Sequence, residues 1–343
     1  MKLNGENIKI NNMRQLKDVL EGIFDVDDNI KNIDKQIEEE IKNFLRDNYK
    51  GRYKISKKCN KEGKYEVYSL SNIEVKNKNI KTLTNEKFIW TEVSQSFSCD
   101  KCKSLISLEG APIKVGEDFN CANCFSLTTL EGAPKEVGGD FRCESCASLT
   151  SLKGAPIKVG QTFSCNKCKS LTTLEGAPKE VGRHFWCETC DSLTSLKGAP
   201  KEVGGFFHCA DCCNLISLEG SPEKVGLEFQ CSYCISLTSL KGAPKEVGKS
   251  FRCVYCDSLK TLEGSPEKVG GDFSCSNCRS LTSLKGAPKE VYGYFSCSNC
   301  RSLTSLEGIP AEISGKLECY NVGKEFTESE VSKVTKVKGP IVL

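Results

Sequence analysis

Between Phe97 and Cys300 the chain writes Phe-x-Cys-x-x-Cys ten times, each copy 22 residues after the last. The first cysteines of the copies are Cys99, Cys121, Cys143, Cys165, Cys187, Cys209, Cys231, Cys253, Cys275 and Cys297. The second are Cys102, Cys124, Cys146, Cys168, Cys190, Cys212, Cys234, Cys256, Cys278 and Cys300. A strict period without insertion stacks identical coils along one axis, so each set of equivalent residues becomes a ladder. Two of these ladders are pure cysteine.

The consensus coil reads Phe-x-Cys-x-x-Cys-x-Ser-Leu-Thr-Ser-Leu-Glu/Lys-Gly-Ala-Pro-Lys-Glu-Val-Gly-x-x. Phe97 and Cys99 are two apart, so on a strand both face inward while Ser96, Ser98 and Asp100 face out. Leu105, Leu108 and Val115 fill the rest of the coil interior, and Gly110 and Pro112 hold the return bend. One such coil cannot bury its apolar face alone; a stack of them makes a continuous core. The pattern predicts a β-solenoid of ten regular 22-residue coils over 97–316. Degenerate capping coils flank it at 66–96, where Lys78 stands in place of a cysteine, and at 317–343, where Val322 does. Residues 1–65 read as a helical N-terminal cap. Met13 to Phe24 has apolar residues at helical spacing, and Ile30, Ile33, Ile37, Ile41 and Leu45 recur at three and four after Asp28 as N-cap. Capping the open end of a repeat array is a solubility requirement.

The repeat resembles bacterial and viral leucine-rich repeats. Phe97-x-Cys99-x-x-Cys102 overlays the L-x-L-x-x-N/C segment of that consensus, and Leu105-Ile-Ser-Leu108 with Pro112 looks like the L-T-S-L…P half of the BspA-like type. One departure is the three-residue step from the second cysteine to leucine. The resemblance implies a solenoid used for binding and no catalytic chemistry.

Two cysteine ladders permit three readings. Buried thiols are the plainest: the first position is an inward apolar column, and the resembling family fills the second with Asn or Cys. A metal array is the sharper alternative. Cys-x-x-Cys is half of a tetrathiolate site, a neighbouring coil ~4.8 Å away could supply the other half, and zinc precedes copper or an iron–sulfur cluster. Stacked cysteines also fall within the Cα range for disulfides. The amino-terminal residues lack the apolar core of a signal peptide, which makes a reducing cytoplasm the default expectation. The odd total of 23 cysteines argues against complete pairing.

The residue after the second leucine alternates in sign: Glu131, Lys153, Glu175, Lys197, Glu219, Lys241, Glu263, Lys285, Glu307. On a stack these are direct neighbours, so the alternation reads as a solvated ladder with a 44-residue superperiod.

Specificity in a solenoid belongs to outward strand positions, where the repeats differ. Most here are small or polar. Coils five and six instead place His184, Trp186, Phe206 and His208 on one face, and these include the only two histidines of the chain. The expectation is an anchor for a protein partner, with Ser164, Asn166, Gln230 and Ser232 as its rim. Net charge is +3 with 48 Lys+Arg against 45 Asp+Glu, which gives no nucleic-acid signal. No apolar run approaches the length of a membrane span. No nucleotide loop, Ser/His/Asp set or paired carboxylates are found. The sequence therefore reads as a non-catalytic scaffold without a cofactor, with the zinc array as its rival.

Overall fold

The computed structural model describes residues 2–3, 6–7, 27–57 and 59–343. It is a β-solenoid of about 13 stacked coils. Each regular coil contributes one two-residue strand to each of two sheets. In the first, the Phe sheet, Phe97–Ser98 is followed by Phe119–Asn120 and so on to Phe295–Ser296. In the second, the Val sheet, Lys114–Val115 is followed by Glu136–Val137 and so on to Glu312–Ile313. Neighbouring strands are parallel and in register at one full period: Phe119 pairs with Phe97 and Phe141, and Val137 with Val115 and Val159. Each sheet reaches 14 strands.

The interior follows from strand alternation. Phe97, Cys99, Cys102, Leu105 and Leu108 are all 0% exposed, and later coils repeat this. From Phe97 to Phe295 the rings form one stack, with centroids 5.1–5.5 Å apart. Such ring contacts add about 0.5–1.5 kcal/mol each beyond area burial.

Two backbone devices let coils approach this closely. Gly132 holds φ +88° beside the backbone of Glu109 in the preceding coil, leaving no room for a Cβ. Between the cysteines, the residue before the second one sits in the left-handed region in every coil, from Lys101 (φ 58°) to Asn299 (φ 61°). That conformation suits Asn but strains Thr189 (φ 56°).

Helix α1 (Asp27–Asn48) starts one residue before the expected N-cap, and the helix expected over Met13 to Phe24 lies outside the described residues. The three-and-four spacing brings Ile41 and Leu45 fully into the core, and Phe44 meets Phe88 at 5.7 Å. The chain then enters both sheets at once. Tyr49–Lys50 pairs antiparallel with Ile73–Val75, and Lys54–Ile55 pairs with Tyr65–Ser69. Cap and solenoid thus share both sheets.

The C-terminal segment is more regular than its sequence suggested. Lys336–Val337 and Ile341–Val342 extend both sheets by one strand, completing another coil around helix α2 (Glu328–Ser332). Thr327 and Glu330 close a capping box on that helix. The spacing from Leu317 to Ile341 is 24 residues rather than 22, which hides the coil from a search at strict period.

Surface charges pair along the stack. Lys153 reaches Glu131 at 3.8 Å, Lys197 reaches Glu219 at 3.4 Å, and Lys285 reaches Glu263 at 3.5 Å. A second, interrupted alternation, unnoticed in the sequence, runs down the Val sheet, where Lys158 meets Glu180 at 3.1 Å but Glu290 pairs with Glu312. Exposed pairs of this kind contribute at most about 1 kcal/mol.

Candidate interaction surface

The cysteine ladders are the first candidate site, and all 23 thiols are free. The second-position sulfurs act as hydrogen-bond rungs. Cys124 Sγ donates to the carbonyl of Cys99 at 3.1 Å, Cys190 to Cys165 at 3.3 Å and Cys212 to Cys187 at 3.2 Å. Each rung ties one coil to the coil before it. Most first-position sulfurs donate in the other direction, as Cys121 does to Arg142 O at 3.3 Å and Cys143 to Ser164 O at 3.4 Å, whereas Cys187 makes no such bond. Burial, with neighbouring thiols adding to it, pushes Cys121, Cys187 and Cys209 well above the ordinary thiol range, whereas contacts with Cys253 and Cys256 hold Cys278 below it. A protonated thiol is the form that can donate to a carbonyl, and a thiolate in its place would face the carbonyl lone pairs.

A tetrathiolate centre would have to break these sulfur–carbonyl bonds and release the thiol protons, because metal binding requires thiolates. Among the described residues no group of three or more His, Cys, Asp or Glu is gathered to hold a metal ion.

The second candidate is the outer face of the Phe sheet, built from the residue before each Phe, the residue after it and the residue after the first cysteine. Contacts between Ser98 and Asp100, and between His184 and Trp186, place the three columns on one side. His184, Trp186, Phe206 and His208 come together as one array. Ring centroids are 5.7 Å apart for His184 and Trp186, 4.6 Å for His184 and Phe206, and 5.5 Å for Phe206 and His208, with interplanar angles of 8°, 13° and 21°. Trp186 lies opposite His208 in the strand register. The rings cover one another, so all four residues are half-buried rather than exposed.

Backbone demands explain part of this arrangement. The side chain before several of the Phe residues accepts the amide of the equivalent residue one coil later: Asp118 Oδ1 from Asp140 at 2.8 Å, Asp140 Oδ1 from Thr162 at 3.0 Å, Asp272 Oδ1 from Tyr294 at 3.0 Å. His184 Nδ1 fills the same post, accepting from Phe206 N at 3.0 Å. It is therefore a neutral imidazole with its proton on Nε2. Burial first, then Arg183 and His208, hold its pKa below the usual histidine range, against a smaller opposing effect of Asp140.

Several expected contributions change. Ser164 and Ser232, read as rim, are 1% and 3% exposed and form floor instead. The sequence reading missed Glu188 and Glu228, which approach the His208 ring at 3.6 Å and 3.8 Å. It also missed Arg252, whose Nε is 3.6 Å from Glu228. Glu228 and Arg252 occupy the same variable columns as the aromatic residues and Glu188 the third outer column, and the period alone could have found them. Away from this face, Tyr233 and Tyr255 stack at 4.7 Å on the strained turn between cysteines, and Ile235 is exposed beside them.

A scan against protein-family models, a search of curated proteins and a search of solved structures each return no match. Among the described residues no helix is long and apolar enough to cross a membrane.

Proposed function

We propose that this chain is a non-catalytic scaffold of the leucine-rich-repeat kind that binds a protein partner through the outer face of its Phe sheet, centred on coils five and six. The carrying observation is the four-ring array of His184, Trp186, Phe206 and His208, set in columns that elsewhere hold mainly small or polar side chains. No ladder rule requires Trp186 there: Ser98, Ser164, Ser274 and Ser296 satisfy the same position. Buried aromatic anchors inside a polar surround are the arrangement in which a few residues dominate binding. His184 serves its own backbone ladder, so the anchoring falls to Trp186 and Phe206. The free thiols fit a reducing compartment, where the ladders serve stacking rather than chemistry.

The test is recovery of partners on the immobilised full chain, comparing wild type with Trp186→Ala/Phe206→Ala after confirming that the melting temperature is unchanged. Proteins retained by wild type and lost by the variant support this reading. Equal recovery by both removes the aromatic array from consideration.

A further inference from the structure

Charge is distributed unevenly on the proposed binding face. In coils two to nine, counting each from the residue before its Phe, the three outer columns carry six carboxylates: Asp118, Asp140, Glu144, Glu188, Glu228 and Asp272. Only Arg142 and Arg252 oppose them, although the whole chain is net +3. Arg142 donates to Asp140 at 2.7 Å and Arg252 Nε lies 3.6 Å from Glu228, so each arginine offsets one carboxylate and the excess remains. Along the bends the same chain alternates Lys with Glu and leaves no such excess.

A second observation is independent of charge. Ser164 Oγ, Trp186 Nε1 and His208 Nε2 are covered polar atoms without a hydrogen-bond partner. They belong to consecutive coils of one column, paired in register, and Ser164 is only 1% exposed. Covered donors without acceptors are rare in folded proteins and invite an explanation from outside the chain.

Resting on the binding reading above, we infer that this face docks a cationic peptide segment, with Lys or Arg side chains set against Glu144, Glu188 and Glu228 and across the rings of Trp186 and Phe206. Each part of the ligand answers a feature of the face. Carboxylates and ring faces both attract ammonium and guanidinium groups. Backbone carbonyls would accept from Trp186 Nε1, which a polyamine, having no acceptor carbonyl, cannot do. From Glu144 in coil three to Glu228 in coil seven is four coil steps, roughly 19 Å, which about six extended residues span. Nucleic acids and anionic lipid surfaces carry the wrong sign for this face.

The experiment selects a phage-displayed random dodecapeptide library on the immobilised full chain and then measures the best peptides by fluorescence polarisation. Enriched sequences are expected to be rich in Lys and Arg. Their affinity should fall roughly tenfold or more between low and high salt. It should fall about fivefold or more in Glu188→Gln/Glu228→Gln and be lost in Trp186→Ala/Phe206→Ala. Peptides that need Trp186 and Phe206 but are neutral or acidic would overturn the cationic partner and leave the binding face standing. No enrichment, or peptides indifferent to both double variants, would overturn both. A chain that runs as a dimer and becomes monomeric in Trp186→Ala would assign the face to a second copy and likewise overturn the proposal.

Discussion

Cys190 donates its thiol to the Cys165 carbonyl, whereas Cys187 faces the Phe and Leu columns, although both are 0% exposed. Asparagine can take over a rung, because its amide also donates to a carbonyl. Cys190→Asn is therefore expected to fold with little loss, while Cys187→Asn should cost about 1–3 kcal/mol for a buried amide without partners. Denaturant titration of the two variants measures this, and equal losses would mean that the sulfurs work as a pair. Thr189 offers the opposite case. A β-branched residue at φ 56° is strained, and Asn already occupies this turn at Asn123, Asn277 and Asn299. Thr189→Asn should raise stability by about 1 kcal/mol. His184 adds a pH dependence. Its folded pKa lies below the ordinary value, so the folded state binds fewer protons than the unfolded one. The stability it contributes is present above about pH 6.5 and is lost as pH falls below that towards the folded value. Protonation of Nδ1 also breaks the bond from Phe206 N, so the protection of that amide against its intrinsic exchange rate should drop once pH falls through the folded value of His184, below its ordinary one.

At the scale of the repeating coil, the Phe stack carries most of the interior. Removing one ring from its middle, as in Phe229→Ala, affects contacts on both sides and should cost about 3–5 kcal/mol. Phe229→Leu should cost under about 1.5 kcal/mol, since Leu317 already holds this column in a later coil. Urea melts of both variants check the pair of values. The inward and outward assignment of the coil was legible because period 2 on the strand and period 22 along the chain agree at Phe, Cys, Leu and Val. The last coil was not, because its 24-residue spacing breaks the count while Val337 and Ile341 keep the geometry. Side-chain burial on the outer face was equally hidden. Ser164, Ser274 and Ser296 of one column all disappear from solvent, whether the neighbour in the next coil is Trp186, Ser296 or Glu318, a relation that depends on coil spacing rather than on the serine itself. The carboxylate flank of His208 went unread for a similar reason: Glu188 and Glu228 lie 20 residues on either side of it.

Over the whole molecule, two ladders of free cysteines run through the core, most of them bonded to carbonyls of neighbouring coils, and binding is assigned to the opposite side of the same strands. This division of labour sets a core for stacking against an outer face for binding. Its most direct test is a joint count of thiols and metal on protein purified without reductant or chelator. In native buffer only Cys59 and Cys213, the two partly exposed thiols, should react quickly with a thiol reagent. All 23 cysteines should react once the chain is unfolded, and elemental analysis should find no stoichiometric zinc, copper or iron. Thiols that stay unreactive in denaturant would reveal disulfides. About five zinc ions per chain, one for each pair of coils, would contradict the account and make the ladders themselves the functional site.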